Sequence, residues 1–290
     1  MKPYAHQAIT RIALNQYAKR HDCSIPTEFY DAVVYGVKAE DHMWEMRRWI
    51  NWHFFRQNDR IRSRYYLVVR TTSEDIFCTR VATLLRCFEK VNRGKFGRNL
   101  GRVLHHIQDM YTPSHIIPIF HLTNDYFESF MEEALQECKI HFFPYEDPLM
   151  VEDNSFCKFY ESSAEDTYRF VHETEIRTYT ENRDKYFDLT LFWKDHTLEE
   201  DPKRVGFGTF GEAQKLFKKK SNGQYDMFFI YEGEKYRMDM RERYRICELV
   251  VNRAIAGTVN VFEAMDLKHF LETGSMPTSM FECKGSRICK

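Results

Sequence analysis

Residues Phe96 to His115, FGRNLGRVLHHIQDMYTPSH, decide how this chain is read. Leu100, Val103, Leu104 and Ile107 recur at helical spacing, which predicts a helix from about Phe96 to Tyr111. Pro113 restricts the residue before it and ends that helix. His105 and Asp109 are four residues apart, so both side chains sit on one helical face and can grip one ion. The break at Pro113 lets His115 turn back toward the same cleft. An aspartate has two oxygens and can bridge two metals, and imidazole together with carboxylate suits zinc. A lone histidine–aspartate pair at this spacing is usually an exposed helical pair, contributing about 0.2–0.5 kcal/mol. The proline and the third histidine shift that balance toward a metal site.

Helical patterning continues on both sides. Ala5 to Tyr17 places Ile9, Ile12, Ala13 and Tyr17 on one face, and Pro26 opens a segment that Gly36 is expected to end. Ser73 reads as an N-cap, with Glu74 and Asp75 at the positive helix end and an apolar stripe from Ile76 to Phe88. Further helices are expected from about Asn124 to Ile140, Phe156 to Thr180 and Glu242 to Met265. Four glycines at 206, 208, 211 and 223 break the region from Asp201 to Arg241, where a short hairpin fits residues 227–240. The fold expectation is an all-α single domain over residues 1–270, followed by a poorly ordered tail over 271–290.

Composition narrows the function classes. The chain has 290 residues, enough for a sizeable core, and only 8 prolines and 12 glycines, which argues against a loop-rich or disordered protein. A formal charge of −1 gives no global positive field to attract nucleic acid, although a metal cluster supplies positive charge locally. No run approaches the roughly 18 apolar residues of a membrane-spanning helix. The N-terminus does not read as a signal peptide, so a cytoplasmic location is expected, with export lacking a visible leader as the alternative. Eight cysteines, at 23, 78, 87, 138, 157, 247, 283 and 289, form no C-x-x-C pair. They read as reduced thiols in a cytosolic protein, or as disulfides in an exported one.

Several residues elsewhere have the chemistry to complete a metal cluster: His6, Asp41, His53 and Glu128. Taken singly, His53 reads as a partly buried core histidine and Glu128 as a solvated helix residue. In combination with His105, Asp109, Pro113 and His115 they resemble the zinc-dependent phospholipase C family, whose superfamily includes the single-strand-specific fungal nucleases. The resemblance covers residues 1 to about 135. It implies a helical protein holding two or three zinc ions and hydrolysing phosphodiesters with a metal-activated water. On that resemblance Asp41 and His53 share one zinc with His105 and Asp109, and Asp41 doubles as the base that orients the attacking water. His6 and the bridging Asp109 hold a second ion. His115 and Glu128 hold a third. The family's N-terminal residue binds zinc through its amine and carbonyl, a place taken here by Met1. Asn124 replaces a family histidine, and His121 or Asp125 is the expected substitute ligand.

The threonine–proline form of the motif favours a phospholipid headgroup or another phosphodiester as substrate. Single-stranded nucleic acid is the alternative. Arginines at 47, 48, 56, 60, 62, 64 and 70 interleave with Trp49, Trp52, Phe54, Phe55, Tyr65 and Tyr66, as a nuclease groove requires, although a packed aromatic face beside a solvated basic face is the stronger reading. The non-enzymatic alternative is a helical scaffold retaining one structural zinc.

Overall fold

A computed structural model of the chain describes residues 1–40, 55, 73–90, 93–117, 119, 125–144, 154–181, 183–195 and 208–282. The described chain is mostly helical. Its helices are α1 (Pro3–Arg20), α2 (Thr27–Ala39), α3 (Ser73–Glu89), α4 (Arg93–Asp109), α5 (Pro113–Ile116), α6 (Tyr126–Gln136), α7 (Phe156–Glu173), α8 (Met240–Ala264) and α9 (Leu267–Thr273). The sequence supplies several of the signals that bound them. Pro3 and Pro113 sit in the first turns of α1 and α5, where a missing N–H costs nothing. Asp125 caps α6 by accepting from the Glu128 N–H, and Ser155 caps α7 by accepting from the Lys158 N–H.

The all-α expectation needs correction. Strands β1 (Ile176–Tyr179), β2 (Asp184–Phe187), β5 (Phe228–Tyr231) and β6 (Glu234–Arg237) form an antiparallel sheet in the order β2-β1-β6-β5. Strands β3 (Trp193–Lys194) and β4 (Thr209–Phe210) pair separately. The hairpin expected near 227–240 is β5–β6, with Phe229 opposite Tyr236. The missed strands lie partly where α7 was expected to run on to Thr180. That helix stops at Glu173, and the next residues alternate, Ile176 and Thr178 buried, Arg177 exposed, which is the period of a half-buried strand. Four residues are too short a run to override the helical periodicity before them.

Two glycines bring α2 and α4 into backbone contact. A Cβ on Gly36 would stand 2.2 Å from the Arg98 carbonyl oxygen, and one on Gly101 would stand 2.2 Å from the Val33 oxygen. Gly36 therefore lies inside α2 instead of ending it. Its role is to let the two axes approach closely, because no side chain fits between them. This crossing places α4 against α2, while α3, α7 and α8 also pack on α4. The last turn of α4 is thereby enclosed by protein.

Two further expectations change. Cys78 and Cys157 each take part in a disulfide, whereas Cys23, Cys87, Cys138 and Cys247 are free thiols, so the fully reduced reading fails. The tail expected to be poorly ordered from residue 271 is in part built into the fold: α9 runs to Thr273, a 3-10 turn covers Thr278–Phe281, and Met276 and Met280 are buried. Phe281 packs on Phe88 and Phe156 at ring separations of 5.6 Å each, which explains why the chain stays attached. No described helix is long and apolar enough to cross a membrane.

Candidate metal centre

Helix α4 ends at Asp109, and the chain then reverses through two tight turns. The Thr112 N–H donates to the Asp109 carbonyl at 2.9 Å, and the His115 N–H donates to the Thr112 carbonyl at 2.9 Å. Pro113 opens α5 at once, so His115 on that single turn comes back over Asp109. His6 arrives from the first turns of α1 and Glu128 from the start of α6.

These residues converge. Asp109 is fully buried, and its two oxygens face different groups. Oδ1 lies 2.8 Å from the Met1 amine and 3.2 Å from His6 Nε2. Oδ2 lies 3.2 Å from His105 Nε2 and 3.8 Å from His115 Nδ1. His115 Nε2 approaches Glu128 Oε1 at 3.1 Å, and the Met1 amine is 3.3 Å from the same oxygen. The His6 and His105 rings stack with centroids 4.0 Å apart. One ligand atom from each of His6, His105 and Asp109 lies within 4.8 Å of the others, a spacing that a single metal ion can span.

The hydrogen bonds behind the histidines determine which nitrogens are available. His105 Nδ1 lies 2.9 Å from the Val37 carbonyl, which can only accept, so Nδ1 carries the proton. His6 Nδ1 lies 2.8 Å from Gln108 Oε1, again an acceptor. With Nδ1 committed in each ring, Nε2 is the nitrogen that faces the aspartate. His6 Nε2 is buried without a hydrogen-bond partner although a carboxylate oxygen is 3.2 Å away. Lone pair against lone pair is repulsive unless a cation lies among them. The donor set and its backing hydrogen bonds fit a metal ion.

Electrostatics point the same way. Burial, reinforced by His105, pushes the His6 imidazole down to about 4, so it is neutral at pH 7 and able to ligate. For Asp109 burial alone would raise the carboxyl. The Met1 amine, then His115 and His105, outweigh burial and hold it well below the ordinary carboxylate range. An ionised aspartate beside the neutral His6 imidazole is what a cation requires.

Beside this cluster lies a second buried polar layer. His106 Nε2 is 3.4 Å from Glu40 Oε1, and His106 Nδ1 is 3.3 Å from Ser73 Oγ. Arg80 Nε meets Glu40 Oε1 at 2.5 Å, and Arg102 Nε lies 3.5 Å from Oε2. Burial opposes ionisation of Glu40, but the hydrogen bond and charge of His106, then Arg80, lower its pKa. Ser73 and His106 have no exposed surface, so the arrangement ties the end of α2 to α3 and α4 and offers no nucleophile to solvent.

Of the residues singled out in the sequence, the structure brings His6, His105, Asp109, His115 and Glu128 together, with Met1 among them. Asp41, His53, His121 and Asn124 lie outside the described residues, as does nearly all of the arginine–aromatic stretch from 47 to 70. Phe55 is the exception. Its N–H donates to the His115 carbonyl at 2.9 Å, at the edge of the cluster. Asp125 caps α6 and accepts from Gln214 Nε2 at 3.2 Å. Sequence reasoning missed Gln108, Thr10 and Thr258, whose hydrogen bonds stand behind His6. One signal was present: Thr10 is one helical turn after His6, and Gln108 directly precedes Asp109. The chain matches no protein-family model, no curated protein and no solved structure.

Proposed function

We propose that this protein is a zinc-dependent phosphodiester hydrolase of the phospholipase C kind. The observation that carries the reading is the arrangement around Asp109. One buried carboxylate presents Oδ1 to His6 and Oδ2 to His105, and each imidazole turns Nε2 to it. Two oxygens facing separate nitrogen groups suit a bridging aspartate, and the imidazole–carboxylate donor set suits zinc. Zinc bound there would supply Lewis-acid stabilisation of the phosphoryl oxygens and a water acidic enough to attack phosphorus at neutral pH.

The chain's own residues contribute orientation and access. Val37 and Gln108 fix the ring planes of His105 and His6, so neither ligand has to reorganise as substrate binds. His6, His105 and Asp109 are shut away from solvent. His115 and Glu128 are buried too, at 6% and 7% exposed, and are the members of the cluster nearest to solvent. Asp41 remains the proposed base, and Asp41 with His53 the proposed completing ligands. The disulfide-bonded Cys78 and Cys157 favour an oxidising compartment over the cytoplasm.

The test begins with metal content after purification without chelator. Two or three zinc ions per chain support the hydrolase. One supports the scaffold with a structural zinc, and none rejects the metal assignment. Short-chain phosphatidylcholine and single-stranded DNA are then offered with zinc to the native chain and to Asp109→Asn. Lipid hydrolysis lost in the variant supports the phospholipase reading, whereas DNA cleavage lost in the variant assigns the nuclease instead. Turnover of neither substrate by a zinc-loaded native chain overturns both assignments.

A further inference from the structure

We propose that Thr258 on α8 decides which nitrogen of His6 is free to bind a metal, acting through Gln108 as a positioning relay. The Thr258 hydroxyl donates to the Ala254 carbonyl at 2.7 Å, and because a carbonyl can only accept, the hydroxyl hydrogen is committed there. Thr258 Oγ1 is left as an acceptor and receives the Gln108 Nε2 group at 3.2 Å. Thr10 Oγ1 takes the same amide nitrogen at 2.9 Å. With both amide hydrogens used, Gln108 Oε1 faces His6 Nδ1 at 2.8 Å and must accept from it.

The reversed amide is the informative alternative. It would place Oε1 against the Thr258 oxygen, whose hydrogen is already used, and an N–H against His6 Nδ1. The ring proton would then move to Nε2 and be donated to Asp109 Oδ1, 3.2 Å away. That state is a closed histidine–aspartate hydrogen bond with no lone pair for a metal. The Thr10 hydroxyl can donate to a reversed Oε1 as readily as it accepts from the amide nitrogen, so the oxygen–oxygen clash of the reversed state falls on Thr258 alone, and with none of the three residues exposed bulk solvent does not relieve it. A side chain 150 residues from Gln108 in sequence thus selects the ligand-ready tautomer over the closed pair.

This inference rests on the metal-centre reading of His6 and Asp109 and is independent of hydrolysis. The experiment uses the full chain, stripped of metal and labelled with 15N-histidine. Long-range proton–nitrogen spectra report the His6 tautomer, and competition with a chromophoric chelator reports zinc affinity. The native chain should show His6 protonated at Nδ1. In Thr258→Val a measurable share of the ring should move to the Nε2-protonated form, with zinc affinity falling about tenfold to hundredfold, the usual effect of losing an outer partner of a ligand. In Gln108→Glu the carboxylate can only accept, so Nδ1–H and near-native affinity should persist. A packing role predicts the reverse order, because valine matches threonine in volume whereas the glutamate buries a charge. Gln108→Met removes the acceptor while filling similar space, and reads the same loss if Thr258→Val does not fold. Native His6 protonated at Nε2, or Thr258→Val with tautomer and affinity unchanged, overturns the relay. A native chain with Nδ1–H and no zinc affinity supports the relay while rejecting the metal reading.

Discussion

His105 Nε2 faces Asp109 Oδ2 at 3.2 Å across one turn of α4, with its other nitrogen committed to the Val37 carbonyl. The pair could hold a cation only while residue 109 carries a full negative charge. Asp109→Asn keeps the shape but loses that charge and lets an amide N–H donate to an imidazole nitrogen. Zinc affinity should fall by about a hundredfold or more, beyond the usual effect of losing an outer partner. A competitive zinc titration checks this, and unchanged affinity would remove Asp109 from the ligand set.

The His6 shift predicts a pH dependence for the metal-free chain. Its folded pKa of about 4 lies below the ordinary value of 6.5, so only the unfolded chain takes up the proton between those values. Stability should be undiminished above pH 6.5 and decline as pH falls to about 4, by roughly 3 kcal/mol in total from this group. Asp109 acts in a lower window, because its lowered pKa contributes stability that is lost only below its ordinary value of 3.8. Urea midpoints across pH 7 to 4 should show the decline, and His6→Asn should flatten it.

The α2–α4 crossing predicts opposite signs for two chemically identical substitutions. Gly101→Ala gains about 1 kcal/mol of helix propensity, but its Cβ would sit 2.2 Å from the Val33 oxygen, and backbone cannot yield cheaply. Overpacking wins, with a net loss of roughly 2 kcal/mol or more. Gly94 has nothing within 4 Å of a built Cβ, so Gly94→Ala should stabilise by up to about 1 kcal/mol. Denaturant midpoints measure both, and loss of stability in Gly94→Ala would contradict the open space seen there.

Arg243 is buried and serves the sheet region. Its guanidinium donates to the carbonyls of Leu216 at 2.6 Å and Met238 at 3.1 Å, and also to that of Asp226. Burial lowers its pKa to about 10, which leaves it charged at pH 7. Arg243→Met would orphan these carbonyls, with an expected loss of about 1–3 kcal/mol for each one left unpaired. Lysine lacks the planar fork and should rescue little of it. A midpoint shift of under 1 kcal/mol, measured in urea against a typical surface substitution, would count against that role.

The sequence by itself determined the long helices and the placing of His105 and Asp109 on one face of α4. Periodic apolar residues over four or more turns leave one solution, and His105, Asp109 and Pro113 lie close enough in sequence for local geometry to align them. Only the tertiary structure decided the rest. Gly36 reads locally as a helix end, yet lies within α2 because Gly101 approaches it from α4. Strands of four residues, such as Ile176–Tyr179, carry too little periodicity to announce themselves, and although this one pairs with the neighbouring Asp184–Phe187, the sheet is completed only where Tyr179 meets Arg237 of a distant hairpin. The tautomer of His6 depends on Gln108 and Thr258, 102 and 252 positions from it, through hydrogen-bond directions that exist only once α1, α4 and α8 are packed. Spacing along one helix is a local quantity, whereas which lone pair points at a carboxylate depends on contacts among several helices.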